Sequence, residues 1–293
     1  MTSSAVLYDA PGPRAQRRNL VFAAVIVAVI IAMAGWVLWQ FESKGQLTEA
    51  KWHPFLTANL WTTYVLPGAV GTLTAAAVSI VLALVLGLLL GMGRLSEARA
   101  VRWACSVFVE FFRAVPVLIM MLFAYFLFAL YDVFPSRQLA LAGVITGLTL
   151  YNGAVIAEIV RAGVYALPRG QREAAVALGL RPGQTLRLIL LPQAVTSMLP
   201  VLVSQMVVVL KDTAIGYQIT FVEMVRQGTN IGSAYSNYIP ALLVIAVLMI
   251  SLNFALSALA TRLERRLRRS RRAPEPLPVN TGVQDDTPGT PAA

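Results

Sequence analysis

A chain of 293 residues with 57% hydrophobic residues, only 13% charged ones and a mean hydropathy of +0.69 lacks the polar surface of an ordinary soluble domain, in which about 25% of residues are charged. Its net charge of +10 would suit a nucleic-acid partner, but the arginines sit between long apolar runs and are better weighed first against a bilayer. A single cysteine, Cys105, rules out an intrachain disulfide, and a single histidine, His53, leaves no Cys/His metal site; no catalytic cluster is visible.

A membrane helix needs about 20 apolar residues. The first such run, Leu20 to Trp39, follows Arg14, Arg17 and Arg18 and ends in Trp36, Trp39 and Phe41, an interface girdle. A signal peptide has an apolar core of only about 7–15 residues, so this run reads as a retained anchor. From Trp52 to Gly93 no Lys, Arg, Asp or Glu appears, too long for one straight span, and Pro67-Gly68 is expected to divide it. The part before reads as an interfacial segment, the part from Gly68 to Met92 as a second span. Further spans are expected at about Ser106–Tyr131, Gln138–Val160, Ala194–Leu210 and Tyr238–Ala260. The fold class is therefore all-α and polytopic, with about six transmembrane helices.

Positive charge orients them. Eighteen arginines fall on one side, in the segments before span one and after spans two, four and six, against five Lys or Arg on the other. Cytoplasmic loops carry that excess, which places both termini in the cytoplasm and makes nucleic acid unnecessary to explain the basic charge. The domain reading is a cytoplasmic segment 1–19, an anchor 20–40, an extracytoplasmic or interfacial segment 41–67, a transmembrane domain 68–262 and a tail 263–293. The tail from Ala273 on, rich in Pro, Thr and Gly, is expected to be disordered.

The segment Leu167 to Pro192, LPRGQREAAVALGLRPGQTLRLILLP, is longer than a simple connector of about 2–8 residues. Pro168 and Gly170 are expected to break the preceding helix, and Glu173 to fall in the first turn of a new one, near the positive end of its dipole. Ala174, Ala175, Ala177 and Leu178 continue it and Gly179 ends it as a left-handed cap. A turn at Arg181-Pro182-Gly183 then leads to a second helix from Thr185 to Pro192. On the residues alone, an amphipathic surface segment with snorkelling arginines is an equal reading.

The same stretch resembles the EAA loop of ABC importer permeases: EAA, three residues, Gly, nine residues, Ile, one residue, Leu-Pro. Glu173-Ala174-Ala175, Gly179, Ile189 and Leu191-Pro192 match at that spacing without departure. FVEFFRAVPVL (108–118), AEIVRAG (157–163), GQREAA (170–175), LPQAVTSMLP (191–200), LKDTA (210–214) and Gly71-Thr72-Leu73-Thr74 resemble the polar amino-acid permeases within that family. Ala114-Val115 and Ala214 depart from its usual Gly-Thr and Ser. The extra first span and long tail resemble actinobacterial glutamate permease subunits.

The resemblance implies that Gly170, Glu173, Ala174, Ala175 and Gly179 form a coupling surface for a cytoplasmic ABC ATPase dimer, with a second, related permease subunit and an extracytoplasmic substrate-binding protein as partners. It implies a multi-pass protein of the bacterial cytoplasmic membrane that moves a polar amino acid, glutamate foremost, by alternating access. No Gly-Lys-Ser/Thr phosphate loop exists, since Lys44, Lys51 and Lys211 follow Ser43, Ala50 and Leu210. ATP and magnesium are accordingly expected in the partner ATPase, with no cofactor in this chain, which is a transport subunit and not an enzyme.

Ionisable and amide groups within spans are the candidate pathway residues. Glu110 with Arg113 and Glu158 with Arg161 are each spaced i, i+3 and can pair on one helix face. Asn152 and Gln205, near mid-span, either bond neighbouring helices or contact a zwitterion. Lys211, Asp212 and Thr213 close span five on the outer side, where Lys211 either attracts an anionic substrate or anchors the interface. Gly87 and Gly91 form a small-residue stripe for close helix packing. The rival class, an ion-coupled secondary carrier or channel without an ATPase, leaves the EAA loop unexplained and lacks a carboxylate at the centre of any span; a membrane enzyme lacks its catalytic groups.

Overall fold

A computed structural model describes residues 12–269, in which every regular element is helical. The tail expected to be disordered, and residues 1–11, lie outside the described residues. Helix α1 (Pro13–Ser43) starts with proline at its first turn, where no N–H partner is needed, and has no buried residue. The short turns Glu49–Trp52 and His53–Leu56 follow it. Then come α2 (Ala58–Arg94), α3 (Arg99–Ala114), α4 (Val117–Leu130) and α5 (Ser136–Tyr165). After these lie α6 (Arg169–Ala177), α7 (Pro182–Ile219), α8 (Met224–Tyr235) and α9 (Tyr238–Arg269). Among the described residues five helices are long and apolar enough to cross a membrane, six if the bent pair α3–α4 counts as one span.

The prolines behave differently from expectation. Pro67-Gly68 does not divide α2, because a π-helical turn, Trp61–Val65, immediately precedes it and Leu66 stays helical. Pro192 does not separate a short helix from the next span either. The π turn Thr185–Leu190 precedes it, and Pro182–Ile219 runs as one helix. A wide turn shifts the hydrogen-bond register where the proline ring removes a donor and crowds the carbonyl four residues back. Pro116 has no such turn before it. Val115 is forced to an extended conformation, as residues before proline are, and the expected third span folds back by 102° between α3 and α4.

Helices α2 and α5 meet across small residues. A Cβ on Gly87 would lie 2.5 Å from the Ile156 side chain and 2.8 Å from the Gly153 carbonyl, and one on Gly91 3.0 Å from Val160. That is the close packing expected of the Gly87/Gly91 stripe. Ala75, Met121, Val144, Leu148, Val209 and Phe221 form a core drawn from α2, α4, α5, α7 and the segment before α8. The chain just before α2 and the start of α2 also pack: Phe55 and Leu60 bury against Ile231 and Ala241 of α8 and α9.

The first turn of α8 is capped by Glu223, whose carboxylate accepts the N–H groups of Val225 and Arg226 while fully buried. Burial pushes its pKa up from 4.5 to about 7, against the pull of those two N–H groups and of Arg226. Between those values the folded chain holds a proton that the unfolded chain has released. This contribution is therefore full at acid pH and lost as pH rises through about 7. Thermal unfolding in detergent should show a loss of stability from pH 5 to pH 8 that Glu223→Gln flattens; an unchanged slope would remove Glu223 as its source.

Candidate functional site

The 165–192 segment builds a short helix ending in a knob. Pro168 precedes α6 without a side-chain cap, and Gly179 closes it at φ +75°. The Gly179 N–H donates to the Val176 carbonyl at 2.9 Å and the Leu180 N–H to that of Ala175 at 3.1 Å, the left-handed closure expected of glycine there. Gln193 ties the knob to α7 by donating to the Gln171 amide oxygen at 3.2 Å.

Three details differ from expectation. Gly170 lies inside the first turn of α6 rather than ending the helix before it. Glu173 lies beyond that turn, exposed, so the dipole gives it little. Ala175 is fully buried, so it anchors the knob instead of forming its face. The outward face is Glu173, Ala174, Val176 and Leu178, the last two 61% and 78% exposed. On the sequence Leu178 enters only as a helix former and Val176 not at all; their signal as a docking face is a pair of large apolar residues on a short polar loop.

Charged residues of three helices converge in one cluster. Arg94, at the end of α2 and only 7% exposed in its side chain, reaches Glu110 of α3 at 2.9 Å and Glu158 of α5 at 2.7 Å. Arg161 binds Glu158 at 2.6 Å, while Arg113 stands 3.9 Å from both carboxylates. Both expected i, i+3 pairs thus form, but the hub is Arg94, which on the sequence is only one of the arginines that follow span two. Its two partners lie 16 and 64 residues away, beyond any local pattern. Arg94→Ala should cost about 2 kcal/mol, the worth of lost charge-assisted hydrogen bonds, chiefly those to Glu158 because Glu110 is 62% exposed. Arg94→Lys should retain part of this, since an ammonium lacks the two-pronged geometry. Thermal unfolding of both variants checks the order.

Asn152 and Gln205 come together. The Gln205 amide donates to the Asn152 oxygen at 2.7 Å, and the Asn152 amide donates to the Leu148 carbonyl at 2.9 Å. Asn152 is fully buried and spends its amide on this bridge between α5 and α7; Gln205 remains half-buried. Lys211 is exposed and Asp212 half-buried at the end of the α-helical part of α7. Thr213 is buried with its hydroxyl donating to the Leu210 carbonyl. No hydrogen bond or ion pair joins these three to Asn152. Among the described residues no group of three His, Cys, Asp or Glu is placed to hold a metal.

The profile of the family described as binding-protein-dependent transport system inner membrane component matches residues 83–269. The glutamate transport system permease protein GluD of Corynebacterium glutamicum is 58% identical over 230 residues, 78% of this chain and 84% of that one. The glutamate/aspartate import permease protein GltK of Escherichia coli is 30% identical over 208 residues, 69% of this chain and 93% of that one. A crystal structure of an amino acid ABC transporter with histidines superposes with a TM-score of 0.64 at 28% identity, covering 72% of this chain and 98% of that one.

Proposed function

This chain belongs to the family of binding-protein-dependent transport system inner membrane components, and on that premise we propose that it carries glutamate inward under the drive of a separate ATPase. It is a multi-pass amino-acid ABC permease of the cytoplasmic membrane. The observation that carries the coupling half of the proposal is the knob: a rigid, glycine-closed helix presenting Glu173, Ala174, Val176 and Leu178 outward, in a loop with the full EAA pattern. Exposed apolar residues at a helix end, held by a buried Ala175 behind them, suit insertion into a cleft of another protein.

In this reading the knob end is cytoplasmic, as are both termini, and a dimeric ATPase holds the ATP and magnesium. Closure of that dimer moves the knob as a rigid body, and a second permease chain completes a path that opens alternately to either side. An extracytoplasmic binding protein delivers the substrate. Glutamate is favoured by the 58% identity to GluD, a glutamate permease by name. Gln205, Lys211 and Asp212 are the pathway candidates with polar atoms left to offer, and of these Lys211 has the charge that suits an anionic substrate, whereas Asn152 serves to hold Gln205.

The test is uptake by the complete complex in liposomes, with labelled glutamate competed by unlabelled glutamate, glutamine, arginine and histidine, with and without ATP inside. Strong competition by glutamate alone, and only with ATP, is expected. Accumulation undiminished without nucleotide would replace this reading with an ion-coupled carrier. Dominant competition by another amino acid would replace the substrate.

A further inference from the structure

Beside the knob lies a cavity of about 590 Å³ between the ends of α2 and α5, the start of α6 and the π turn of α7. Its polar lining is strongly unbalanced. Arg169, Arg172 and Arg187 face it against one carboxylate, Glu97, and among the described residues none of the three arginines is ion-paired. The N-terminus of α6, which has no side-chain cap, opens at the same place through Pro168 and Arg169. Its first N–H groups carry partial positive charge and favour an anion.

A second, independent observation points to a missing ligand. Thr185, which lines the cavity and is only 2% exposed, has a buried hydroxyl with no hydrogen-bond partner. A buried polar group left unsatisfied is costly, and such groups in folded proteins usually meet water or a ligand.

Much of the remaining wall is apolar, from Leu95, Val164, Leu167, Leu186 and Leu190, with Ser96 among them. A free phosphate would leave that wall and most of the volume unfilled. The cavity also sits where the long apolar helices end. Tyr165, 65% exposed with the Arg161 guanidinium 5.5 Å above its ring, marks that level as an aromatic interface residue does. Cation, hydroxyl donor and hydrocarbon wall at headgroup depth describe one ligand class.

We propose that this cavity binds an anionic phospholipid, its phosphodiester held by Arg169, Arg172, Arg187 and the Thr185 hydroxyl, and the upper part of an acyl chain lying against Leu95, Val164 and Leu190. The lipid wedges between the knob and the bundle and fills the space behind α6. The motion of the knob therefore depends on the composition of the leaflet around it, and the site is a lipid control point on the transporter. This goes beyond the identity of the transported solute and does not depend on it.

The experiment uses the complete complex, purified from membranes and moved into nanodiscs of phosphatidylglycerol with phosphatidylcholine, or of phosphatidylcholine alone. Native mass spectrometry counts retained phosphatidylglycerol, and uptake in liposomes of the same compositions gives the functional readout. The expected result is retained phosphatidylglycerol on the wild type. The Arg169→Gln/Arg172→Gln/Arg187→Gln variant should lower retention on the order of tenfold or more, each arginine near an anionic surface counting substantially. Thr185→Val, which keeps the side-chain shape, should lower it less, and Arg137→Gln, at the end of α5 opposite the cavity, not at all. Size-exclusion assembly of each variant with the ATPase separates lost binding from lost folding. Four results would overturn the proposal: equal retention by the triple variant; displacement of lipid by inorganic phosphate alone at millimolar concentration; lipid retained by the permease only while the ATPase is absent; or uptake independent of phosphatidylglycerol content.

Discussion

Glu173→Lys and Gly179→Asp are each expected to abolish uptake, by about a hundredfold or more, while the chain still inserts and loses no more than about 1 kcal/mol of stability. Glu173 is exposed and makes no ion pair among the described residues, so reversing its charge disturbs little within the chain. At a docked interface the same change leaves a wrong-signed charge desolvated, a cost of roughly 2–5 kcal/mol. Gly179 has open space where a Cβ would be, so its restriction is conformational, from φ +75°. A side chain there costs about 1 kcal/mol within the chain, and aspartate tolerates the left-handed region better than most. The loss of transport must then come from the new carboxylate at the knob. Gly179→Ala separates the two terms: it should lose stability slightly and transport only modestly. ATP-dependent uptake together with co-purification of the ATPase checks all three, and wild-type transport by both charged variants would sink the coupling role of the loop.

Gly71→Val is expected to prevent a stable fold altogether. A Cβ at Gly71 would overlap the carbonyl oxygen of Val222 and approach its carbonyl carbon to 3.1 Å, and that backbone has nowhere to go. Thr72 next to it accepts the Met224 N–H at 3.2 Å, and Glu223 between them is locked into the cap of α8. Overpacking commonly costs about 1–3 kcal/mol where side chains can shift, and the cost here is at the upper end or beyond because the opposing atom is backbone. Gly35→Ala in α1, with nothing within 4 Å, should be neutral or stabilising by up to about 1 kcal/mol. Yield and melting temperature by fluorescence-detected size exclusion give the contrast. A well-folded Gly71→Val protein would mean that the 220–223 segment does not lie where it is described.

These residues show what could and could not be read from sequence. The spans were legible because an apolar run of the right length has few alternatives in a bilayer. The left-handed close at Gly179 was legible because only its own neighbours determine it. The fate of Pro67, Pro116 and Pro192 was not, since each depends on whether the turn before it widens or breaks. Gly71-Thr72 was recognisable as a pattern, but its cause, a carbonyl and an N–H some 150 residues away, is purely tertiary. Arg94 shows the same limit: nothing local distinguishes an arginine that turns inward to two carboxylates from one that faces water. The amides of Asn152 and Gln205 were identified as buried polar groups, yet their mutual bond needed the register between α5 and α7. Which face of α6 points outward was likewise decided by what Ala175 packs against.

Helix α1 contributes no buried side chain to the chain it begins. Its place in the bilayer therefore follows from its own apolar length and is not a step in the cooperative assembly of the bundle. Deleting it, or exchanging its apolar residues for others of equal hydrophobicity, should leave the melting transition of the remaining helices where it was and change only how firmly the chain's start is moored.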